Sequence, residues 1–246
     1  MPIRVLFDDR ERSEELTIIN TSKRTNTYRL EWGYRRMKEE GGYEQLEAPL
    51  DATFDAEKSL IFSPRQVTIA PGENQRVRLS LRRPADLPDG EYRAHLLMKR
   101  VSDGNEPRTG VVTDSGISAQ MGTNVGFSIP VIVRQGAYDA GAVISDPEFV
   151  PPANPAQPHS LHITVTRTGI HSVAGSFKVY WTPPGQEERF VGEINNINIF
   201  HEITKRRVGI VMHEANITSG TIRIVMEGID EMRGTIIDEK TFPVGG

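Results

Sequence analysis

Residues 60–81 read Leu-Ile-Phe-Ser-Pro-Arg-Gln-Val-Thr-Ile-Ala-Pro-Gly-Glu-Asn-Gln-Arg-Val-Arg-Leu-Ser-Leu. Three short β-prone runs, Leu60–Phe62, Val67–Ile69 and Val77–Leu81, are separated by Ser63-Pro64 and by Ala70-Pro71-Gly72. In the last run Val77, Leu79 and Leu81 alternate with Arg78 and Ser80, which is the period of a strand with one buried face. A proline or glycine after every strand length of chain supplies turns and forbids a helix of useful length. This stretch decides for an all-β fold of short antiparallel strands.

The same pattern extends in both directions. Upstream, Ile3–Phe7 and Leu16–Ile19 are β-prone, and Thr27–Met37 places Tyr28, Leu30, Trp32 and Tyr34 on one face. Downstream, Pro88-Asp89-Gly90 launches a strand from Tyr92 to Val101. The odd positions from Ile117 share one face, which becomes uniformly apolar at Val125, Phe127, Ile129, Val131 and Val133. Two stretches interrupt the rhythm, Lys38–Glu57 and Ser102–Gly116, and read as long inter-strand connections. The small, polar run Gln135–Ala142 marks a domain boundary. Beyond it, Leu161/Ile163/Val165 and Phe177/Val179/Trp181 alternate, and Arg189–Val191, Val208–Met212, Thr221–Met226 and Thr235–Phe242 follow, for about seven strands. The expected architecture is two immunoglobulin-like β-sandwich domains, 1–136 and 137–246.

Composition excludes several chemistries. The 246 residues contain no cysteine, so disulfides, thiolate metal sites and a cysteine nucleophile are excluded. A net charge of −4 provides no bulk basic field for nucleic acid. No apolar run approaches the ~20 residues of a membrane-spanning helix, so membrane insertion is not expected. His159 and His162 stand three apart at the start of a strand, where their side chains take opposite faces; His95, His171, His201 and His213 have no neighbours at ligand spacing. No metal and no other cofactor is expected. No nucleophile elbow, phosphate loop or zinc-protease helix motif is present, and the chain is not expected to be an enzyme.

The ordered motifs of the first half resemble the PapD-like periplasmic chaperones of pilus assembly. Arg4-Val5-Leu6-Phe7-Asp8 is similar to the family's opening strand and Glu15–Asn20 to its second strand, which ends in Asn. The Ser63-Pro64, Pro71-Gly72 and Val77-Arg78-Leu79 spacing resembles the most specific part of the pattern, and Leu87–Arg93 and Ile129–Arg134 fit the strands that follow. The resemblance covers 1–136 well and is weaker beyond, where mainly Thr166–Gly175 and the strand count agree.

The resemblance implies two immunoglobulin-like domains arranged as a boomerang. It implies a partner, a pilus or pilus-like subunit lacking its last strand, to which the chaperone lends a strand by β-augmentation. An outer-membrane usher is implied as the next acceptor, and the periplasm as the compartment. No signal peptide is visible, so the sequence would be that of the mature protein. Arg4 matches the arginine that grips the client's terminal carboxylate, a task suited to a planar guanidinium. The partner lysine of that arginine aligns with Pro130, which carries neither charge nor backbone donor. Ile117, Met121, Thr123, Val125 and Phe127 fall in the donor strand. Glu91 and Arg134 match members of a structural interdomain ion-pair cluster. In the absence of a client, the donor edge could pair with a second copy of the chain. The rival readings are a tandem-sandwich adhesion or structural protein and an enzyme on a β-sandwich scaffold; the motif spacing favours the chaperone.

Overall fold

The computed structural model describes residues 4–8, 10–51, 54–101, 110–112, 118–120, 126–152, 154, 158–214 and 217–245. The chain clusters into two compact units, Met1–Arg35 with Gln45–Gly136, and Arg36–Glu44 with Ala137–Gly246. Both are built almost entirely of strands.

The strands of the first unit, in chain order, are β1 (Val5–Phe7), β2 (Ser13–Ile19), β3 (Asn26–Met37), β4 (Tyr43–Leu46), β5 (Leu60–Ser63), β6 (Gln66–Ile69), β7 (Asn74–Leu81), β8 (Gly90–Val101), β9 (Gly110–Val112), β10 (Ser118–Gln120) and β11 (Phe127–Gln135). One sheet has the order β1-β11-β8-β3-β4, with β6 also on β3; a second has the order β2-β7-β5; β9 pairs with β10. Alternation drives the two larger sheets together. Leu16 and Ile18, Leu60 and Phe62, and Val77, Leu79 and Leu81 point inward from the smaller sheet, and Val5, Phe7, Leu30, Leu96, Ile129, Val131 and Val133 meet them from the larger one. Each such side chain contributes roughly 1.5–3 kcal/mol by leaving water. The quoted 60–81 stretch crosses from one sheet to the other: β5 lies on β7, and β6, after a cis Ser63–Pro64 bond, lies on β3.

Turn chemistry holds these strands in place. Ala70-Pro71-Gly72-Glu73 closes with Glu73 N donating to Ala70 O at 3.1 Å, and Gly72 takes φ +76°, as the third residue of a type II turn must. Gly72 N donates to Asn20 O, and Asn20 N donates to Glu73 O. The Asn20 side chain is buried at the end of β2. Its Nδ2 donates to Arg24 O at 2.7 Å and Ile69 O at 2.8 Å, while its Oδ1 accepts from Ser22 and from Asn26 Nδ2. One amide thus satisfies backbone groups of two loops that no strand could satisfy.

The segment Lys38–Glu57 is not one long loop. It contains β4 and a single helical turn, α1 (Ala56–Ser59), capped by Asp55, whose side chain accepts from Glu57 N. β4 returns along β3 through Gly41 and Gly42, both at positive φ. Tyr43, Glu44 and Gln45 are exposed and only Leu46 is aliphatic, so no alternation announces it. The tip of this hairpin, 36–44, is part of the second unit, where Met37 N donates to Glu202 and Arg207 N donates to Glu39 O at 2.7 Å.

The second unit contains β12 (Ala140–Val150), β13 (Ser160–Gly169), β14 (Val173–Thr182), β15 (Arg189–Ile199), β16 (Lys205–Val211), β17 (Gly220–Gly228) and β18 (Ile236–Val244). They form sheets of order β12-β13-β16 and β15-β14-β17-β18. Leu161 faces Ile210 and Ile163 faces Val208 in one sheet; Phe177, Val179 and Trp181 face Met226, Ile224 and Ile222 in the other, all buried. The sequence reading gives this strand only Arg189–Val191. Instead the strand continues to Ile199 through a bulge: Phe177 pairs with Ile194 but Gly175 with Ile197, and Asn196 sits at φ +59°. Arg167 ties down the loops beside it, donating to Ile203 O, Gly169 O, His171 O and His201 O.

Asn20→Ala is expected to destabilise the first unit by about 2–3 kcal/mol, since it leaves buried donors and acceptors in two loops unsatisfied. Hydrogen exchange of the β2 and β7 amides measures this, and unchanged protection there would refute the keystone role of Asn20.

Candidate functional site

β11 pairs antiparallel with β8 over its entire length, from Phe127↔Met98 to Gln135↔Gly90. On its other edge β1 runs parallel and covers only three positions, Val5↔Val131, Leu6↔Ile132 and Phe7↔Val133. Along Phe127–Pro130 that second edge has no strand partner among the described residues. Phe127, whose side chain is 49% exposed, opens this stretch. Arg83 fastens the other end: it donates to Arg134 O at 2.6 Å and Gln135 Oε1 at 2.9 Å, and to Asp8 O just past β1. These bonds hold the short parallel strand against the far half of β11.

Register sorts the side chains of this sheet into rows. Val5, Val131 and Ala94 face the core. One residue back, Arg4, Pro130, His95 and Gly33 form a row on the opposite face. The adjoining row on that face carries Ile132 and Arg93, and the next carries Arg134 opposite Glu91. From Glu91 to Leu96, β8 is buried on both faces.

The residues expected to act therefore have definite places. Arg4 is half-buried, immediately before β1 and beside Pro130. Glu91 and Arg134 form a buried ion pair, Nε to Oε2 at 3.0 Å, with side chains 0% and 5% exposed. Phe127 begins β11. Ile117, Met121, Thr123 and Val125 lie outside the described residues. The structure thus brings Arg4 to Pro130 and Glu91 to Arg134 on a single face of one sheet.

Three further residues belong to this face and escape a sequence reading. Arg93 approaches His95 Nε2 at 3.3 Å and donates to Arg35 O at 3.1 Å. The alternation Glu91, Arg93, His95 against Tyr92, Ala94, Leu96 reads as a strand with one wet face. All six are buried. Burial lowers the His95 pKa to about 3, assisted by the positive charges of Arg93 and Arg35. The imidazole is neutral, its Nε2 turned to a guanidinium, and the positive charge of this patch resides on arginines. Among the described residues no group of three or more His, Asp or Glu side chains is disposed to hold a metal ion. His162 is instead engaged by Arg207.

No protein-family model matches the chain, and no curated protein matches it. Solved structures similar to it include the Pseudomonas aeruginosa CupB2 chaperone, at TM-score 0.44 and 11% identity, covering 99% of this chain and 98% of that one. The E. coli chaperone DraB is similar at TM-score 0.47 and 15% identity, covering 98% and 93%. A Salmonella enterica structure of SafA pilin in complex with the SafB chaperone is similar at TM-score 0.46 and 13% identity, also covering 98% and 93%.

Two predictions follow the charges of this face. Arg134→Met or Glu91→Met alone is expected to destabilise the first unit by about 3–5 kcal/mol, because each strands a buried charge. The double variant should recover most of that loss in a urea titration. His95 has a folded pKa below its unfolded value near 6.5. Its contribution to stability is therefore complete above pH 6.5 and is lost as pH falls towards 3, at up to ~1.4 kcal/mol per pH unit. His95→Gln should flatten the stability profile in that window; an unchanged slope would assign the acid sensitivity to other groups.

Proposed function

We propose that this protein is a periplasmic chaperone that holds an incompletely folded pilus or pilus-like subunit by donating a strand to it, and passes it to an outer-membrane usher. The observation that carries the reading is the half-covered edge of β11. A second strand laid along Phe127–Pro130 would be collinear with β1, and its near end would meet Arg4. Because β1 is parallel to β11, a client strand that runs parallel to β11 reaches Arg4 with its C-terminus. The opposite direction would bring the strand's interior or N-terminal end there. Strand direction and the identity of the terminal group are thus coupled, and a guanidinium at that point selects a carboxylate.

Backbone pairing gives affinity that is indifferent to most client side chains, while alternate side chains of the donor enter the client's groove. Phe127, exposed at the start of β11, is the described residue proposed to do so, and the segment that precedes it would extend the donor. An apolar client edge held this way is kept from pairing with other subunits. Exchange of one β-strand for another requires no nucleotide or metal.

Pro130 removes both the expected cation and one backbone donor from the edge. Arg93 and Arg35 lie one row away on the same face, and after burial their charges add to the lowering of the His95 pKa. They are the residues proposed to stand in electrostatically for the missing lysine. Without a client the same edge is the natural place for a second copy of the chain to pair.

Co-purification from a periplasm that expresses the neighbouring secreted subunits tests the proposal. A subunit is expected with wild type, and at least ~10-fold less of it with Arg4→Ala, the loss of a charge-assisted pair being worth ~1.5–3 kcal/mol. Equal capture by both would remove the carboxylate anchor from Arg4. Capture by neither, with subunits present and soluble, would overturn the chaperone reading.

A further inference from the structure

The connection between β8 and β11 holds a ribbon of its own. β9 pairs antiparallel with β10 in the register Ser118↔Val112, Ala119↔Val111 and Gln120↔Gly110. This ribbon does not continue the ladder from which it springs. Phe127 pairs with Met98, and the same register carried outward would set Ser118 opposite residue 107. Ser118 stands opposite Val112 instead, so the arm that leaves β8 is longer than the arm that enters β11.

β10 falls between Ile117 and Met121, inside the segment proposed to be donated. Among the described residues no third strand joins the ribbon. In the free chain β9 is thus the strand that lies on this segment, and it occupies one of the two edges of β10.

The pairing is weak by construction. A two-stranded ribbon with no sheet behind it is marginally stable in water. The ladder has three residue pairs, one of them containing Gly110, and glycine weakens a strand. Such a partner covers an edge against chance pairing, yet a longer strand replaces it at little cost. β11 itself is held to β8 by nine residue pairs. The donor therefore has an anchored half in the sandwich and an outer half whose described partner is easily displaced.

We propose that β9 is an internal placeholder, paired with the donor segment while no client is bound and displaced when a subunit takes that segment into its groove. The proposal rests on the strand-donation reading. A strand set into a groove is flanked on both edges, so β9 and the client cannot hold β10 together. Client entry then exchanges one set of backbone hydrogen bonds for another, and the edge of β10 is not left bare in between.

A disulfide lock on the full chain tests this. The chain contains no cysteine, so in Val111→Cys/Ala119→Cys the two thiols have only each other. Residues directly opposite in an antiparallel pair have Cα atoms about 4.5–5.5 Å apart, within reach of a disulfide. The purified variant, oxidised or reduced, is mixed with the neighbouring secreted subunits unfolded in urea, diluted, and examined for co-purifying subunit. The reduced form is expected to capture a subunit as wild type does, and the oxidised form at least ~10-fold less. Equal capture by the two forms would overturn the placeholder and leave the chaperone reading standing. Failure of the two thiols to join would deny the register and overturn it too. Capture by neither form nor by wild type would overturn both readings.

Discussion

The parallel pairing of β1 with only the second half of β11 is the constraint from which the candidate site follows. Among the described residues, nine of β11 are paired on one side and three on the other. An edge strand presents a row of donors and acceptors that another chain can read. Extending β1 backwards by a few paired residues would cover the edge; removing it would also deprive Arg4 of its place. Arg83 is the reason the short strand sits where it does, since its guanidinium gathers the carbonyls at the ends of both strands. A parallel pair of three residues has little ladder of its own, and a charge-assisted clamp of this kind is worth more than one more backbone bond.

Electrostatics on the adjoining face follow from the same register. Parallel β1 places Arg4 beside Pro130, and antiparallel β8 places His95 on the far side of that proline. Proline neither donates nor carries charge, so the face is charged around it by residues of neighbouring rows. The Glu91–Arg134 pair is locally compensated, and His95 is kept neutral first by its own burial and then by the nearby charges of Arg93 and Arg35. A buried neutral imidazole between cations is tolerable; a protonated one there would add a third positive charge without solvent to screen it.

How much of this was legible in the sequence depended on which period a segment displayed. Leu161/Ile163/Val165, Phe177/Val179/Trp181 and Val77/Leu79/Leu81 alternate cleanly because one face of each meets a core, and the two all-β units can be read from them. The Ala70–Glu73 turn was readable because only glycine takes its third position at little cost. The strand β4 was not, because a polar hairpin arm stabilised by backbone pairing leaves no hydrophobic signature. The continuation of β15 was hidden by Asn195-Asn196, where turn chemistry serves a bulge. At the candidate site, Arg4, Glu91 and Arg134 were accessible through motif spacing. Arg93, Arg35 and His95 were not, because alternation with polar residues implies solvent, whereas β8 is buried on both faces.

The strand edges of the two units are treated differently, and the difference bears on function. In the second unit β12 is broken by Asp146 at φ +50° and Pro147, with a register shift between Ser145 and Glu148. β15 carries the Asn196 bulge, β16 opens with Lys205-Arg206-Arg207, and β18 carries Asp238, Glu239, Lys240 and Pro243. Bulges, charges and proline are the devices that keep an edge from recruiting another strand. The Phe127-Ser128-Ile129 edge of β11 has none of them before Pro130. Among the described residues the first unit leaves stretches of strand edge without these devices, the Phe127–Ile129 stretch of β11 and the Leu60–Phe62 edge of β5 among them, which is what the proposed strand exchange requires.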